Sequence, residues 1–484
     1  MGTRTETDAY GAISIPDGAY WGPQTERSRI LFAIGDERLP KDVIRCFGAQ
    51  KAAAACANLK LGKLPENLAK VIILSAREMQ EGLFDDQFPI SLWQTGSGTQ
   101  TNMNANEVIA NRANEMLGHS LGARFPVHPN DHVNLGQSSN DTFPTIMHIC
   151  TVRAVFGSLA PAMDGLKAAI SARAEEFHAY IKLGMTHLQD ALPITLGSEF
   201  RTWERQIDAA WTGIELHAET LSELPQGGTA SGSGVNGTPG FAGLVCEELS
   251  SFVGRALRPS SHPSQFMAAH DSFAAICGEL NVLATAILKI CNDIRLLTSS
   301  LSGTPSLMLP DDGLSSSIMP SKRNATVCEA VIQVCLRVLG SSAAVVAANA
   351  AGTLQLNTCK PLILHEVLNS IRLLSDAQLV LASGCISGLR ADPDNLRRAL
   401  DHSPVLGAVL APMVGYDVAA RLIKLAVATG LPIREVIERD GEMDVSEFDR
   451  HLARVLISDT LAAGQLSTTP SSEVAKPLAQ FNAK

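Results

Sequence analysis

The hydrophobic positions of the chain predict a protein built almost entirely from α-helices. From residue 41 onward, apolar side chains recur every three or four residues, as at Val43, Cys46 and Ala49, which is the spacing of one helix face. Shorter helical patterns follow at about residues 64–82 and 102–118. The long patterns are residues 141–174, 195–222, 264–297, 327–350 and 360–384. All of these exceed the usual globular helix of about 11 residues, which indicates a bundle of long helices.

Several of the long helices are apolar on more than one face. Ala, Val and Cys dominate residues 327–351, so this helix requires burial on all sides, as in the middle of a multi-helix bundle. Prolines interrupt the pattern after Gly388, which predicts a small separate C-terminal domain with a loose polar tail. Glycines among β-branched and aromatic residues at 10–22 predict a small β-hairpin or an extended arm.

Composition excludes some classes of partner. The chain has 484 residues and a net charge of −10 without a basic run, which argues against nucleic acid and against an anionic membrane surface. The uncharged stretch from Val338 to Cys359 contains several Ser, Asn and Gln residues, so it is interpreted as a buried helix and not as a membrane span. The ten cysteines lack metal-ligand spacing and lie mostly in apolar patterns. Together with the absence of a signal or transit pattern, they predict a cytoplasmic protein.

Three polar segments lie beside helical patterns and are rich in groups that bind anions. Residues 309–324 contain three consecutive serines, Lys322 and Asn324, whereas residues 95–104 and 128–142 supply hydroxyls and amides just before a helix. Side chains of this type, with the free backbone N–H groups of a helix start, form an anion cradle that needs no metal. Each segment taken singly also fits ordinary helix capping or a surface loop. All three in one chain favour an anion site with many contacts.

These segments, in this order, resemble the aspartase/fumarase superfamily of lyases, and most closely the class II fumarate hydratases. The resemblance extends to Gly184-Met-Thr-His-Leu-Gln-Asp190, Gln226-Gly-Gly-Thr229 and Lys360-Pro361, and covers nearly the whole chain. It implies an all-α, three-domain lyase fold with a small N-terminal hairpin: an N-terminal domain (1–139), a central long-helix bundle (140–388) and a small C-terminal domain (389–484). It also implies a homotetramer whose active sites combine residues from three subunits. The implied substrate is a small dicarboxylate, with no cofactor and no metal.

The resemblance also implies roles for individual residues. Ser316 matches the base that removes a proton beside a carboxylate, and Lys322 with Asn324 would hold that carboxylate so that it accepts the developing charge. His187 would act on the leaving-group side, with Glu329 as its carboxylate partner. Further substrate hydrogen bonds are expected from Ser97, Thr99, Ser138, Ser139, Asn140 and Thr186. A second anion site near the entrance is expected at His128, Asn130 and Asp131, where the amide-rich surroundings argue against a metal.

The chain departs from the family pattern around this expected site. The substituted positions are Met185, Ser315, Ser321, Arg323 and Ala325, where the family usually has Arg, Gly, Gly or Ala, Val and Pro. Three hypotheses therefore stay open. The leading one is reversible addition of water to fumarate or a close analogue. The second is elimination of ammonia or an amine from an aspartate-type substrate, since residues 352–357 resemble aspartate ammonia-lyase. The third is a homologue that has lost turnover.

Overall fold

The computed structural model describes residues 2–302, 305–314, 318–319 and 322–465, apart from the side chains of residues 455 and 457–465. The chain divides into two compact units. Unit 1 contains Met1–Leu166, Gln206–Lys289 and Glu329–Val380, and unit 2 contains Lys167–Arg205, Ile290–Cys328 and Leu381–Lys484. The three domains expected from the family, with boundaries after residues 139 and 388, stay a prediction.

The predicted helices are present and dominate the structure, which confirms the all-α fold class. The α-helices are Pro23–Leu31, Lys41–Lys60, Glu66–Gln80, Thr99–Met116, Ser139–Ala154, Ala160–Glu176, Leu196–Thr220, Phe241–Val253, Gln265–Ala268, Asp271–Leu297, Thr326–Ala350, Lys360–Gly384, Pro393–Asp401, Gly407–Val414, Tyr416–Thr429, Ile433–Asp440 and Val445–Gln465. Short 3₁₀ turns occur at Ser300–Ser302, Ile386–Gly388 and Pro404–Leu406.

Two of the predicted long helices are not regular throughout. The run at 141–174 contains a π-helical turn, Val155–Leu159, which inserts a wider turn without ending the helix. The run at 264–297 is broken, because Ala269 adopts an extended backbone and the N–H of His270 donates to Asn349 Oδ1 at 2.6 Å instead of continuing the helix. The apolar periodicity of the sequence continues across the π-helical turn and across the break at Ala269, so it could not predict either irregularity.

The strands form small two-stranded sheets. The N-terminal hairpin is confirmed, but it lies earlier than the 10–22 expected: Thr3–Asp8 pairs antiparallel with Gly11–Pro16. Gly11 turns the chain with a φ of 102°, a conformation that favours glycine. The other sheets in the described part of the chain are Ile181–Thr186 with Gln189–Thr195, Glu223–Leu224 with Arg258–Pro259, and Leu307–Met308 with Arg390–Ala391.

Each unit has its own apolar core. In unit 1 the helix Lys41–Lys60 is buried over most of its length, and its alanines allow neighbouring helices to approach closely. In unit 2 the core gathers leucines and isoleucines of the C-terminal helices around Phe448. The ten cysteines are all free and most are buried, which fits their interpretation as small apolar side chains.

In the described part of the chain, three helical stretches are long and apolar enough to cross a membrane, judged by length and composition alone: Ser139–Glu176, Asp271–Leu297 and Thr326–Ala350. The most apolar window of each is 61%, 50% and 33% buried within the protein, respectively. The first two therefore already have half or more of that window in the protein's own core, whereas about two thirds of the window in Thr326–Ala350 is half-buried or exposed.

Candidate active site

One of the two helix starts in the candidate site, that of Thr99–Met116, depends on two glycines. The helix Thr99–Met116 begins after Gly98, whose φ is 75° and where a Cβ would lie 2.1 Å from the Phe143 ring. A Cβ on Gly96 would lie 1.3 Å from the Thr358 carbonyl oxygen. The chain can therefore follow this path only with glycine at both positions. The path places Ser97 Oγ 2.8 Å from Thr99 Oγ1, in a hydrogen bond beside the N–H groups that open the helix.

The other helix start in the candidate site, that of Ser139–Ala154, carries a capping box. Ser138 Oγ accepts the backbone N–H of Asn140 at 3.1 Å, and Asp141 Oδ1 accepts the backbone N–H of Ser138 at 2.9 Å. Asn140 is also held from the side, because its Nδ2 donates to the Ala230 carbonyl at 2.9 Å. Helix capping was the plain alternative for this segment, and the capping is present. It orients the hydroxyl and amide groups expected to bind substrate.

Asn102, which is fully buried, connects the two helix starts. Its Nδ2 donates to Ser139 Oγ at 3.2 Å and to Asn134 Oδ1 at 3.1 Å. Since Asn102 lies in the first turn of Thr99–Met116, this bond holds the start of that helix against the start of Ser139–Ala154. The structure therefore brings the segment of Ser97 and Thr99 together with the segment of Ser138, Ser139 and Asn140.

Lys51 lies behind this pair of helix starts, and sequence reasoning missed it. Its side chain is fully buried, and Nζ donates to Asn102 Oδ1 at 2.8 Å, to Gln137 Oε1 at 2.9 Å and to Asn134 Oδ1 at 3.1 Å. Burial lowers the pKa of Lys51 to about 7, against the opposing effect of the Asp141 carboxylate. The signal in the sequence was a cation inside an alanine-rich helix pattern, where an ammonium needs several acceptors.

Asp141 was also missed as a structural centre of the site. Its Oδ2 accepts the backbone N–H groups of Gly227 at 3.0 Å and Thr229 at 2.9 Å, so it anchors the glycine-rich 226–229 segment beside the second helix start. Burial raises the pKa of Asp141 to about 6, while the donated N–H groups and Lys51 act in the opposite direction. The segment therefore supports the second helix start from behind.

The residues expected at a second anion site form a local cap. His128 Nδ1 accepts the backbone N–H groups of Asn130 at 3.3 Å and Asp131 at 3.2 Å, at the start of the π-helical turn Pro129–Val133. Burial lowers the pKa of His128, although the Asp131 carboxylate raises it. Arg124 Nη2 lies 2.9 Å from His128 Nε2 and is a cation that sequence reasoning did not include. The backbone N–H groups of Asn130 and Asp131 already donate to the His128 imidazole, so they are not free to bind an anion. An anion at this place would therefore rely on Arg124.

Thr186 and His187 lie at the tip of a hairpin in unit 2. Thr186 pairs with Gln189, and the two residues between them, His187 and Leu188, have φ values of 55° and 58°. A two-residue turn with positive φ at both positions normally uses Asn and Gly. Here the turn holds a histidine and a leucine in the left-handed region, with the His187 side chain exposed. Such strain occurs preferentially at functional sites.

The polar loop of unit 2 is described only in part. Ser315, Ser316 and Ser321 lie outside the described residues, so the expected base has no geometry here. Lys322 and Asn324 are exposed, and the backbone N–H of Lys322 donates to the Met319 carbonyl at 3.0 Å.

The two charged residues next along the chain differ in their surroundings. Arg323 pairs with the Asp311 carboxylate at 3.1 Å, with both side chains more than half exposed. Glu329 lies in the first turn of Thr326–Ala350 with its side chain exposed. It belongs to unit 1 and its expected partner His187 to unit 2, so their pairing stays a prediction.

The arrangement in unit 1 is suited to binding a carboxylate. Two helix starts, held together by Asn102, present hydroxyl, amide and backbone N–H donors on one side and a buried ammonium behind them. Among the described residues, no three His, Cys, Asp or Glu side chains are grouped to hold a metal ion. The chemistry available from these residues is therefore hydrogen bonding and electrostatic stabilisation of an anion.

Family comparisons agree with this fold. A family model described as lyase matches residues 11–340, and a model described as the fumarase C C-terminus matches residues 407–454. The chain therefore belongs to the lyases of the aspartase/fumarase superfamily. Its relatives include class II fumarate hydratase 2 of Bradyrhizobium diazoefficiens, which is 44% identical over 449 residues, covering 93% of this chain and 95% of the relative. The class II fumarate hydratase of Thermosynechococcus vestitus is 46% identical over 449 residues, covering 93% and 96%.

Solved structures give the same result. The class II fumarase of Schistosoma mansoni superposes with a TM-score of 0.87 at 34% identity, covering 94% of this chain and 99% of that chain. A Brucella melitensis protein described as fumarate lyase:delta crystallin superposes with a TM-score of 0.89 at 37% identity, covering 94% and 100%. The matches extend over nearly the full length of both chains, so they include both units.

Proposed function

We propose that this chain interconverts fumarate and malate by reversible addition of water, as a carbon–oxygen lyase. The observation that carries the proposal is the joined pair of helix starts in unit 1, where Asn102 holds Ser139 beside the segment of Ser97 and Thr99. The relatives that match nearly the whole chain and are named class II fumarate hydratases support the same reaction. A dicarboxylate substrate needs donors around one carboxylate, and this arrangement provides them without a metal.

The proposed mechanism begins with removal of a proton from the carbon beside a carboxylate. Ser316 acts as the base, and Lys322 with Asn324 stabilises the resulting aci-carboxylate. His187, paired with Glu329, acts on the leaving-group side and transfers the proton that converts hydroxide into water. The strained, exposed position of His187 in its hairpin turn supports this role. The remaining substrate hydrogen bonds come from Ser97, Thr99, Ser138, Ser139, Asn140 and Thr186.

We further propose that the active enzyme is a homotetramer with active sites shared between subunits, located in the cytoplasm. Exposed apolar side chains on the long helices support a tetramer built on a helical bundle, since large exposed apolar areas favour association. Examples are Val282, Leu336, Val346, Leu379 and Val380. Three domains divided after residues 139 and 388 are the accompanying proposal for each subunit, and His128, Asn130 and Asp131 are proposed as a second anion site.

The reaction is tested by incubating the purified protein with malate and following the ultraviolet absorbance of the conjugated product. The expected result is a rise in absorbance that is abolished in Ser316→Ala, with the fold of that variant confirmed by circular dichroism. The same assay is then run with aspartate and a panel of N-substituted aspartates, with ammonia or amine release as the readout.

The residues 352–357 that resemble aspartate ammonia-lyase make this panel necessary. If an aspartate is turned over and malate is not, the hydration hypothesis is rejected in favour of the carbon–nitrogen lyase hypothesis. Thermal stabilisation by succinate without turnover of any substrate in the panel would favour the hypothesis of a homologue that has lost activity.

A further inference from the structure

The buried ammonium of Lys51 has no carboxylate partner within hydrogen-bonding distance among the described residues. All of its hydrogen bonds go to neutral side-chain amides, those of Asn102, Asn134 and Gln137. The anion that acts on it electrostatically is Asp141, whose carboxylate is already held by the backbone N–H groups of Ser138, Gly227 and Thr229. Amides spread the positive charge of Lys51 and do not neutralise it. Because the pKa of Lys51 is lowered to about 7, the region behind the two helix starts holds a buried cation mainly at and below neutral pH.

Lys51 also fixes the direction of the hydrogen bonds around it. An ammonium can only donate, so the amide oxygen of Asn102 must face Lys51. The amide nitrogen of Asn102 then faces Ser139 and donates to its Oγ at 3.2 Å. Ser139 Oγ is thereby an acceptor in this bond, and no acceptor for its own hydroxyl proton occurs among the described residues. The hydroxyl is half-buried, and its proton remains available for a further hydrogen bond.

We infer that Lys51 is a positioning residue for the dicarboxylate, acting through the chain of hydrogen bonds Lys51 to Asn102 to Ser139. The inference rests on the proposed function. In this chain each donor polarises the next, so the Ser139 hydroxyl presents its proton to a substrate carboxylate with support from a buried positive charge. Lys51 itself does not touch the substrate. Its effect is expected in substrate binding more than in the chemical step.

The decisive variant is Asn102→Asp, because it keeps Lys51 paired while reversing the second hydrogen bond. A carboxylate at position 102 still accepts from Lys51 but has no N–H to donate to Ser139. The Ser139 hydroxyl then donates to residue 102 and is withdrawn from the substrate. Loss of one hydrogen bond to a charged group is expected to raise KM for malate by about tenfold or more, with kcat changed by less than about threefold. Lys51→Met tests the cation directly, and Lys60→Met, on the exposed end of the same helix, is its matched control.

The route through Ser139 is tested by a double-mutant cycle. If Asn102 acts through Ser139, the variant Asn102→Asp/Ser139→Ala has the same KM as Ser139→Ala alone, whereas independent effects would multiply. Independent effects, or an unchanged KM in a folded Asn102→Asp variant, would overturn the inference. The wild-type protein is assayed first with malate. Absence of malate turnover in the wild-type protein contradicts the proposed function. In that case the double-mutant cycle is measured as the shift in melting temperature that succinate causes in each variant. An unchanged shift in Asn102→Asp overturns the inference about Lys51.

Discussion

The Oδ2 atom of Asp141 accepts the backbone N–H of Thr229 at 2.9 Å, which ties a helix start to a segment far along the chain. The same carboxylate accepts the N–H groups of Ser138 and Gly227. Three backbone donors thus converge on one buried side chain. Asp141 thereby sets the position of Ser138 and of the glycine-rich turn relative to each other within unit 1, and only a side chain with two acceptor oxygens can do so.

Replacing this carboxylate by an amide is expected to destabilise the protein. In Asp141→Asn one oxygen becomes an NH₂ group that faces a backbone N–H, and a buried donor without an acceptor costs about 1–3 kcal/mol. We expect the free energy of unfolding, measured by denaturant titration, to fall by about 2 kcal/mol. The matched control Asp164→Asn changes an exposed carboxylate and should stay within about 0.5 kcal/mol of wild type. Equal stability of the two variants would contradict the role given to Asp141.

Sequence patterns were sufficient to locate the long helices. Apolar spacing reported Thr99–Met116 and Thr326–Ala350 to within a few residues, because each helix buries a continuous face. The interruption at Ala269 was not predicted, since its cause is a hydrogen bond to Asn349, which is distant in the sequence. The apolar residues on both sides of the interruption keep their spacing.

The polar network of the site could be predicted only in part. Ser138 and Asn140 were recognisable because capping is local in sequence. Lys51 and Asn102 were not, because their function comes from a contact between two helices. The turn at His187 was also not predictable as a two-residue hairpin, since neither turn residue is Gly, Asn or Asp and the left-handed backbone is imposed by the pairing of the flanking strands.

The backbone conformation at Gly98 predicts that adding a side chain at this position destabilises the protein. Gly98→Ala adds a Cβ at 2.1 Å from the Phe143 ring, at a φ of 75° that alanine tolerates poorly. We expect about 2–4 kcal/mol of destabilisation from the backbone strain and the overpacked ring together, with loss of malate turnover because Ser97 and Thr99 are displaced. Gly278→Ala lies within a helix and has open space around its Cβ, so it should stabilise the protein by about 0.5–1 kcal/mol. Denaturant titration of both variants tests the contrast, and a Gly98→Ala protein as stable as wild type would disprove it.

The buried Lys360 predicts a dependence of stability on pH. Burial lowers the pKa of its ammonium from 10.5 to about 7 in the folded protein, while the neighbouring His270, also buried, has a pKa well below its usual value and is neutral in this range. The folded protein therefore binds fewer protons than the unfolded chain between pH 7 and 10.5. Lys360 therefore lowers the unfolding free energy by an amount that grows as the pH falls from 10.5 toward 7, so stability rises with pH across this window.

The measurement is the unfolding free energy of wild type and Lys360→Met at pH 7, 8 and 9. One titrating group contributes a slope of at most about 1.4 kcal/mol per pH unit, and the variant should lack this part of the slope. Lys51 contributes in the same direction, so some dependence remains. The exposed Lys424 serves as the control, since Lys424→Met should keep the wild-type slope. A Lys360→Met protein with the full wild-type slope would show that Lys360 does not titrate in this window.

The neighbouring cations Lys322 and Arg323 are expected to differ sharply in their effect on activity. Arg323 pairs with Asp311 in an exposed ion pair, and such pairs contribute about 0–1 kcal/mol. Arg323→Val should therefore leave the free energy of unfolding and the KM for malate nearly unchanged. Lys322→Met removes the cation proposed to hold the substrate carboxylate, a contact worth about 1.5–3 kcal/mol, and should lower kcat/KM at least tenfold. Steady-state kinetics on the two variants make the comparison. If Arg323→Val instead raises KM as much as Lys322→Met lowers kcat/KM, then Arg323 leaves Asp311 to contact the substrate, and the substrate carries an anionic group beyond those of malate.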